Sequence, residues 1–315
     1  MRAILLCVWL SLAAPAWAQF RSPQIDVGAP ASRESVQRFR VGISIKAVGG
    51  ICYNIIATAG VPDDWPEQSA KIVKEDVSSS VKSLTYRTLT GGGGVKQMVV
   101  EIDQLLAGQE SHALLTFEVR RSAFPAPDDT TKYVIPKKLD RTLNVDVGSS
   151  PFIESRHPKV VAAAKEATAD KETDWQKVEA LYDWTRDHVK YVTDEQKGAA
   201  RTIFDKEGGA DDVTSVFIAL CRSIKIPART VFVPGHCYAE FYLESEPGEG
   251  QWFPCQLAGQ RAFGTIEEQR PILQKGDNFK NPENGKERLR YVTQYLNVAG
   301  KGKPEVKFTS EIVAE

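Results

Sequence analysis

The segment from Ala210 to Ile224 constrains the fold most. Its large apolar residues recur at helical spacing and form one stripe. They are Val213, Phe217, Leu220 and Ile224. Pro227 ends this helix, and three strand-like runs follow, Arg229 to Val233, Cys237 to Leu243 and Gln251 to Gln256. A buried helix followed directly by strands indicates an α+β domain.

Two further helices are expected upstream. Helical periodicity begins near Pro158, and Ala162 to Thr168 is rich in alanine. A clearer helix runs from about Thr173 to Tyr191, where Thr173 or Asp174 is suited to cap it. Beyond Arg261 the chain is polar and rich in turns, with a weak helical pattern from Glu287 to Leu296.

The first half of the chain has a strand-like pattern. Residues alternate with period two along Phe39-Val41-Ile43-Ile45, and further short runs follow up to Val147. Short strands separated by turn residues predict a β-sandwich. The run Gly91 to Gly94 is not followed by Lys-Ser/Thr, so it predicts a flexible hairpin loop instead of a phosphate-binding loop.

Length and charge restrict the organisation further. The 315 residues suggest about two domains, and 40 Lys+Arg against 41 Asp+Glu give no basic surplus for binding nucleic acid. We predict a signal peptide at 1–18, a linker at 19–35, a β-rich domain at 36–150, an α+β domain at 151–262 and a C-terminal extension at 263–315.

The N-terminus has the pattern of an export signal. Arg2 precedes an apolar stretch from Ala3 to Leu12, and Ala16-Trp17-Ala18 is an A-x-A cleavage signal. The apolar run is too short for a membrane anchor, and Cys7 lies inside it instead of at the cleavage point. We expect an exported protein, periplasmic or secreted, with no membrane span after cleavage.

The residues from 208 to 256 also carry a family resemblance. They include GGADDVTSVFIALCRSIKIPARTVFVPGHCYAEFYL and, after a turn, QWFPCQ; upstream stands ALYDWTRDHVKY. This order of motifs resembles the transglutaminase-like superfamily, relatives of papain-type cysteine enzymes. The resemblance implies a transglutaminase-like (papain-like) domain preceded by a β-sandwich-like domain, in which a thiolate attacks an amide carbonyl while a histidine transfers the proton.

The resemblance assigns the site residue by residue. The nucleophile position falls on Ala210, where the family has Cys; the general base falls on His236; and the orienting acid falls on Gln256, where the family has Asp. A glutamine carbonyl can still accept a hydrogen bond from an imidazole. A methyl group, however, cannot form an acyl-enzyme, and losing a nucleophile costs several orders of magnitude in rate.

The remaining cysteines and the other polar residues leave alternatives open. If His236 and Gln256 face each other across antiparallel strands, Cys237 lies opposite Cys255, and a disulfide or two buried free thiols are equally compatible with that register. Neither cysteine is expected to replace the nucleophile, since each should point to the face opposite its histidine or glutamine neighbour. Nothing indicates a metal or organic cofactor. The resemblance implies bracing roles for Asp212, Arg222 and Arg229.

The sequence is compatible with three functions. The first is a catalytically impaired domain that binds peptide or protein amides in the cleft. The second is a cysteine-dependent amidase, protease or acyl transferase acting on exported or cell-envelope substrates, if the natural residue at position 210 is cysteine. The third is docking or adhesion through the β-rich domain.

Overall fold

The computed structural model describes residues 34–91, 93–123, 126–193 and 195–314. The predicted signal peptide and nearly all of the predicted linker lie outside these residues. Within them the chain forms a β-sandwich and a second domain in which helices pack on an antiparallel sheet, which confirms the predicted α+β class. No helix in the described ranges has the length and apolarity to span a bilayer.

The sandwich consists of two antiparallel four-stranded sheets. One has the order β17-β1-β6-β3 and the other the order β16-β2-β5-β4. The strands are β1 (Glu34–Val48), β2 (Cys52–Val61), β3 (Gln68–Val77), β4 (Ser83–Leu89), β5 (Val95–Leu105), β6 (Glu110–Ser122), β16 (Tyr295–Gly300) and β17 (Lys303–Val313). Alternating residues of both sheets, Phe39, Val41, Ile55 and Val100 among them, form one apolar core between the layers.

The last two strands correct the predicted domain boundaries. β17 pairs with β1 along its whole length and β16 pairs with β2, so the end of the chain returns to complete both sandwich sheets. Residues 263–315 are therefore no independent extension, and the weak helical pattern from Glu287 to Leu296 does not form a helix. The strand signal was the alternation of apolar Val306 and Phe308 with charged Glu305 and Lys307.

The glycine run joins β4 to β5 and packs tightly against the second domain. Gly94 exchanges two backbone hydrogen bonds with Lys275, of 2.8 and 3.0 Å. A Cβ atom on Gly93 would lie 2.3 Å from the Lys275 carbonyl oxygen. The hairpin connection is confirmed, and the glycines permit a close approach of two backbones.

The second domain contains a five-stranded sheet of order β12-β11-β10-β9-β13. Its strands are β9 (Ala228–Val233), β10 (His236–Glu246), β11 (Glu249–Gln256), β12 (Ala262–Phe263) and β13 (Gln274–Lys275); two short ladders are formed by β7 (Lys190–Tyr191) with β8 (Glu207–Gly208) and by β14 (Phe279–Lys280) with β15 (Arg288–Leu289). The helices are α1 (Arg141–Asn144), α2 (Pro158–Thr168), α3 (Asp174–His188), α4 (Ala199–Asp205) and α5 (Ala210–Ser223).

Helix α5 is the centre of this domain. Eleven consecutive residues from Asp212 to Arg222 are buried, and their apolar members pack on α2, α3 and the inner face of the sheet. The predicted helices near 158–168, 173–191 and 210–224 are confirmed with shifts of a few residues at their ends. Thr173 caps α3 in a reciprocal capping box with Gln176, as its position predicted.

Candidate active site

The candidate site begins at the N-terminus of α5. Gly209 is the N-cap residue and Ala210, which is half-buried, is the first helical residue. The fully buried Asp212 carboxylate accepts hydrogen bonds from the N–H groups of Lys197 at 3.0 Å and Gly198 at 2.9 Å. Asp212 thereby fixes the loop that leads into α4, which is the bracing role that the resemblance implied.

His236 and Gln256 are in direct contact. His236 is the first residue of β10, Gln256 the last residue of β11, and the Gln256 side-chain nitrogen lies 2.6 Å from Nε2 of His236. In this arrangement the amide N–H donates to a neutral imidazole. Rotating the amide by 180° would present its oxygen to an Nε2–H, which is the orientation needed to hold the imidazole as a base. In both cases Gln256 occupies Nε2 and leaves Nδ1 for another partner.

The environment of His236 disfavours its charged form. Burial is the largest cause of its lowered pKa, and the positive charge of Arg270 is the second; the Gln256 hydrogen bond and the carboxylates of Glu268 and Asp211 act in the opposite direction. A neutral imidazole at neutral pH is the state that can accept a proton.

The strand register differs from the one expected. Cys255 lies opposite Ala239, not Cys237, so the β10–β11 pairing is displaced by two residues. The two-residue turn Pro247-Gly248 makes Glu246 and Glu249 the first paired residues of the hairpin. A bulge between Glu244 and Glu246 then shifts the pairing and sets the register of the remaining β10–β11 residues. His236 and Gln256 are thus diagonal neighbours whose long side chains still meet.

This register excludes the proposed disulfide. Cys237 and Cys255 are both buried free thiols, which was the alternative left open. The Cys237 sulfur reaches the first turn of α5 and lies 3.2 Å from Asp211 Oδ1. Burial and then the Asp211 charge raise the Cys237 pKa well above its usual range, so this thiol is a poor nucleophile.

The same contact relates Ala210 to His236. Asp211 follows Ala210 on α5, and Cys237 follows His236 on β10. Since the Cys237 thiol touches the Asp211 carboxylate, the start of the helix and the start of the strand lie side by side. Ala210 and His236 are therefore each one residue away from the Asp211–Cys237 contact that joins α5 to β10.

The two arginines of the motif brace this framework. Arg222, fully buried, pairs with both carboxylate oxygens of Asp277 at 2.9 and 3.0 Å and donates to the Ala228 carbonyl. Arg229 pairs with Glu240 at 2.7 Å and stacks on the Trp252 ring at 3.8 Å. Asp277, which the sequence reasoning missed, also accepts from the backbone and hydroxyl of Thr230.

Other residues next to His236 were missed as well. Arg270 donates to the Pro234 carbonyl at 3.1 Å, and Glu268 chelates the Arg270 guanidinium at 2.6 and 2.9 Å. Both residues lie in the polar, turn-rich stretch after Arg261, where no periodicity or motif marks them. Their position depends on tertiary contacts that the sequence does not display.

The remaining histidines are separate from the site and from one another. His112 contacts Ser78 and Asp76 in the sandwich, His157 caps α2, and His188 stacks on Trp184. Within the described ranges, no three His, Cys, Asp or Glu side chains are grouped in a way that could hold a metal ion.

Comparison with known proteins agrees with this geometry. Residues 161–257 match the sequence profile of the transglutaminase-like superfamily. The second domain is a transglutaminase-like domain. The match begins within α2 and ends one residue after Gln256, so it spans α5, His236 and Gln256.

A solved structure shares the fold of nearly the whole chain. A protein from Cytophaga hutchinsonii, provisionally assigned as a cysteine protease, aligns with 90% of this chain and 93% of its own at a TM-score of 0.53 and 15% identity. A second, provisionally assigned as a protease and from Parabacteroides distasonis, aligns with 69% of this chain and 47% of its own at 12% identity and a TM-score of 0.27. No curated protein matches the chain significantly.

Proposed function

We propose that this protein uses its transglutaminase-like cleft to bind peptide or protein amides without forming an acyl-enzyme. The observation that carries the proposal is the His236–Gln256 contact beside the N-terminus of α5, a helix that begins with Ala210. A polar dyad and the N–H groups of a helix's first turn are suited to hydrogen-bond a carbonyl oxygen and an amide. Alanine at the helix start offers no atom that could attack it.

The neighbouring thiols do not restore a nucleophile. Cys221 and Cys255 are completely buried, and burial raises both of their pKa values well above the usual range. Cys237 is 3% exposed and donates toward Asp211. A nucleophilic cysteine needs solvent access and a depressed pKa, and all three lack both.

Binding is tested with a glutamine-containing dipeptide, carbobenzoxy-Gln-Gly, by isothermal titration calorimetry. We expect the wild-type protein to bind it and the Gln256→Ala and His236→Ala variants to bind several-fold more weakly, while intact-mass spectrometry of wild type shows no covalent adduct. Arg201→Met, an exposed change on α4, is the matched control and should bind normally. Saturable binding that is equal in wild type and both cleft variants would contradict the assignment of the cleft.

A cysteine-dependent acyl transfer enzyme is the second candidate. It is favoured by the retained histidine, its hydrogen-bond partner and the helix N-terminus, the three parts of the site that a thiolate requires. It requires cysteine at position 210 in the natural protein. Ammonia release from carbobenzoxy-Gln-Gly by the Ala210→Cys variant, and none by the variant that also carries His236→Ala, would establish it; an Ala210→Cys variant that releases no ammonia would exclude it.

Export remains part of the proposal. The A-x-A signal at 16–18 predicts a mature chain that begins at Gln19, and peptide or cell-envelope ligands outside the cytoplasm would fit that location. N-terminal sequencing of the protein purified from its natural host tests this. A chain that retains residues 1–18 would contradict it.

A further inference from the structure

Residues 266–277, here called the strap, lie between the two domains. The strap contains β13, the edge strand of the transglutaminase-like sheet, which pairs with β9. On its other side the sandwich holds three strap residues by their backbone. Arg121 donates to the Arg270 carbonyl at 2.7 Å, the Gln68 amide binds both the N–H and the C=O of Ile272 at 2.6 and 3.0 Å, and Gly94 pairs with Lys275.

The sandwich groups that bind the strap are pre-arranged. Gln68 and Arg121 are direct cross-strand partners on β3 and β6, so their side chains leave the same face of the sheet side by side. They are only 3% and 6% exposed. Buried polar side chains are stable when their hydrogen bonds are made, and here these bonds go to the strap.

From the strap, one side chain reaches the turn that carries His236. The Arg270 guanidinium donates to the Pro234 carbonyl at 3.1 Å. Pro234 and Gly235 form the two-residue turn between Val233 and His236, which pair directly across β9 and β10. Glu268 binds the same guanidinium through both of its carboxylate oxygens, which restricts its rotation.

We propose that Arg121 and Arg270 are positioning residues for His236, so that the β-sandwich helps to build the cleft across the domain boundary. Arg121 holds the strap at the Arg270 carbonyl, and Arg270 holds the Pro234-Gly235 turn. The inference rests on the proposed function only in taking His236 as the working side chain of the cleft. It gives the sandwich a role in the site that an independent docking module would not have.

The charged groups around His236 allow the position of Arg270 to be followed through the pKa of His236. The strap presents Arg270 and Glu268, α5 presents Asp211, and β11 presents the uncharged Gln256. After burial, Arg270 is the largest contribution that lowers the His236 pKa, whereas Glu268 and Asp211 raise it. A change in where Arg270 sits must therefore change the titration of His236.

The experiment is an NMR titration of the histidine rings in the full chain. The protein has four histidines, and the spectrum of His236→Gln assigns the signal of interest. We expect Arg270→Met to shift the His236 pKa upward and Glu268→Gln to shift it downward. Arg121→Met should give an upward shift smaller than that of Arg270→Met, and Arg121→Lys, which keeps a donor for the Arg270 carbonyl, should remain closer to wild type. Arg201→Met, on α4, should leave the titration unchanged.

Each outcome decides a part of the proposal. Folded Arg270→Met and Glu268→Gln variants with the wild-type His236 titration would overturn it. A folded Arg121→Met variant with the wild-type titration would remove the sandwich from the mechanism. If the methionine variant does not fold, Arg121→Gln, whose side chain is too short to keep the bond to the Arg270 carbonyl, is titrated in its place and is expected to shift the His236 pKa in the same direction. The titration needs no ligand, so a wild-type protein that fails to bind carbobenzoxy-Gln-Gly would contradict the proposed function without affecting this result.

Discussion

The sandwich and the transglutaminase-like domain place their buried polar groups differently. In the sandwich, the buried charged side chains Glu67 and Arg121 lie where it meets the second domain, and its core is apolar. In the second domain, charged groups with little or no exposure lie within the framework of the site itself. They include Asp146, Asp212, Arg222, Glu240, Lys275 and Asp277.

Apolar contacts therefore pack the sandwich, whereas buried charges position the residues of the site in the second domain. An apolar core tolerates small shifts of its layers, because dispersion contacts have little directionality. A buried ion pair or hydrogen bond is lost when its geometry changes, and the remaining charge is then unpaired. The second domain therefore holds β9, β10, α5 and the strap in one arrangement, and the sandwich extends that arrangement through Glu67, Gln68 and Arg121.

Arg222→Met should have the largest effect on stability. It leaves Asp277 and Asp146 buried beside each other without their common cation, so we expect a loss of roughly 3–5 kcal/mol in the free energy of unfolding. Urea denaturation measures this loss. The exposed pair Arg201–Asp205 gives the matched control, since Arg201→Met should cost less than about 1 kcal/mol. Equal losses in the two variants would contradict a special role for buried charges.

Leu115→Ala tests the contribution of apolar packing in the sandwich core. Leu115 is completely buried in the sandwich core, and its truncation should cost roughly 2–5 kcal/mol in urea denaturation. Because packing and positioning are separable in this account, the His236 titration of the folded variant should match wild type. A shifted His236 pKa in this variant would show that the sandwich core also determines the site geometry.

Acid should weaken the second domain through Glu240. Burial opposes ionisation of this carboxyl, but Lys275 and Arg229 outweigh it and lower the Glu240 pKa to about 2. A depressed folded-state pKa stabilises the protein above the unfolded value of 4.5, and this contribution is lost as pH falls towards 2. At neutral pH we expect Glu240→Gln to be less stable by up to roughly 3 kcal/mol. In urea denaturation at several pH values, the difference should narrow between pH 5 and pH 2; a constant difference would contradict the linkage.

Gly93→Ala tests the backbone contact between the domains. The added Cβ would meet the Lys275 carbonyl oxygen at 2.3 Å, so the β4–β5 connection or the strap must move, at a cost of roughly 1–3 kcal/mol. Gly49→Ala is the control, since Gly49 also has a positive φ but no atom within 4 Å of the added Cβ. We expect the loss for Gly93→Ala to exceed that of the control; thermal unfolding showing the reverse order would contradict the close approach.

Sequence patterns predicted the parts of this fold that depend on local periodicity. The stripe of α5, the capping box of α3 and the alternation in β1 were all readable. The family resemblance pointed to His236 and Gln256, and the structure brings these two side chains into contact. The β10–β11 register was wrong because a turn and a bulge determine it, and neither has a distinctive sequence. The strap and the return of β16 and β17 were missed, since they depend on pairing between residues far apart in the chain.

We propose that position 210 is the place of a nucleophile that His236 would serve. The direct measurement is the rate at which the Ala210→Cys variant reacts with iodoacetamide as a function of pH. We predict reaction at neutral pH, well below the usual range of a thiol pKa, and loss of that reactivity when His236→Gln is added. Wild type is the blank, because its four cysteines in the described chain are buried. A thiol at position 210 that stays inert at neutral pH, or reacts equally without His236, would contradict the account.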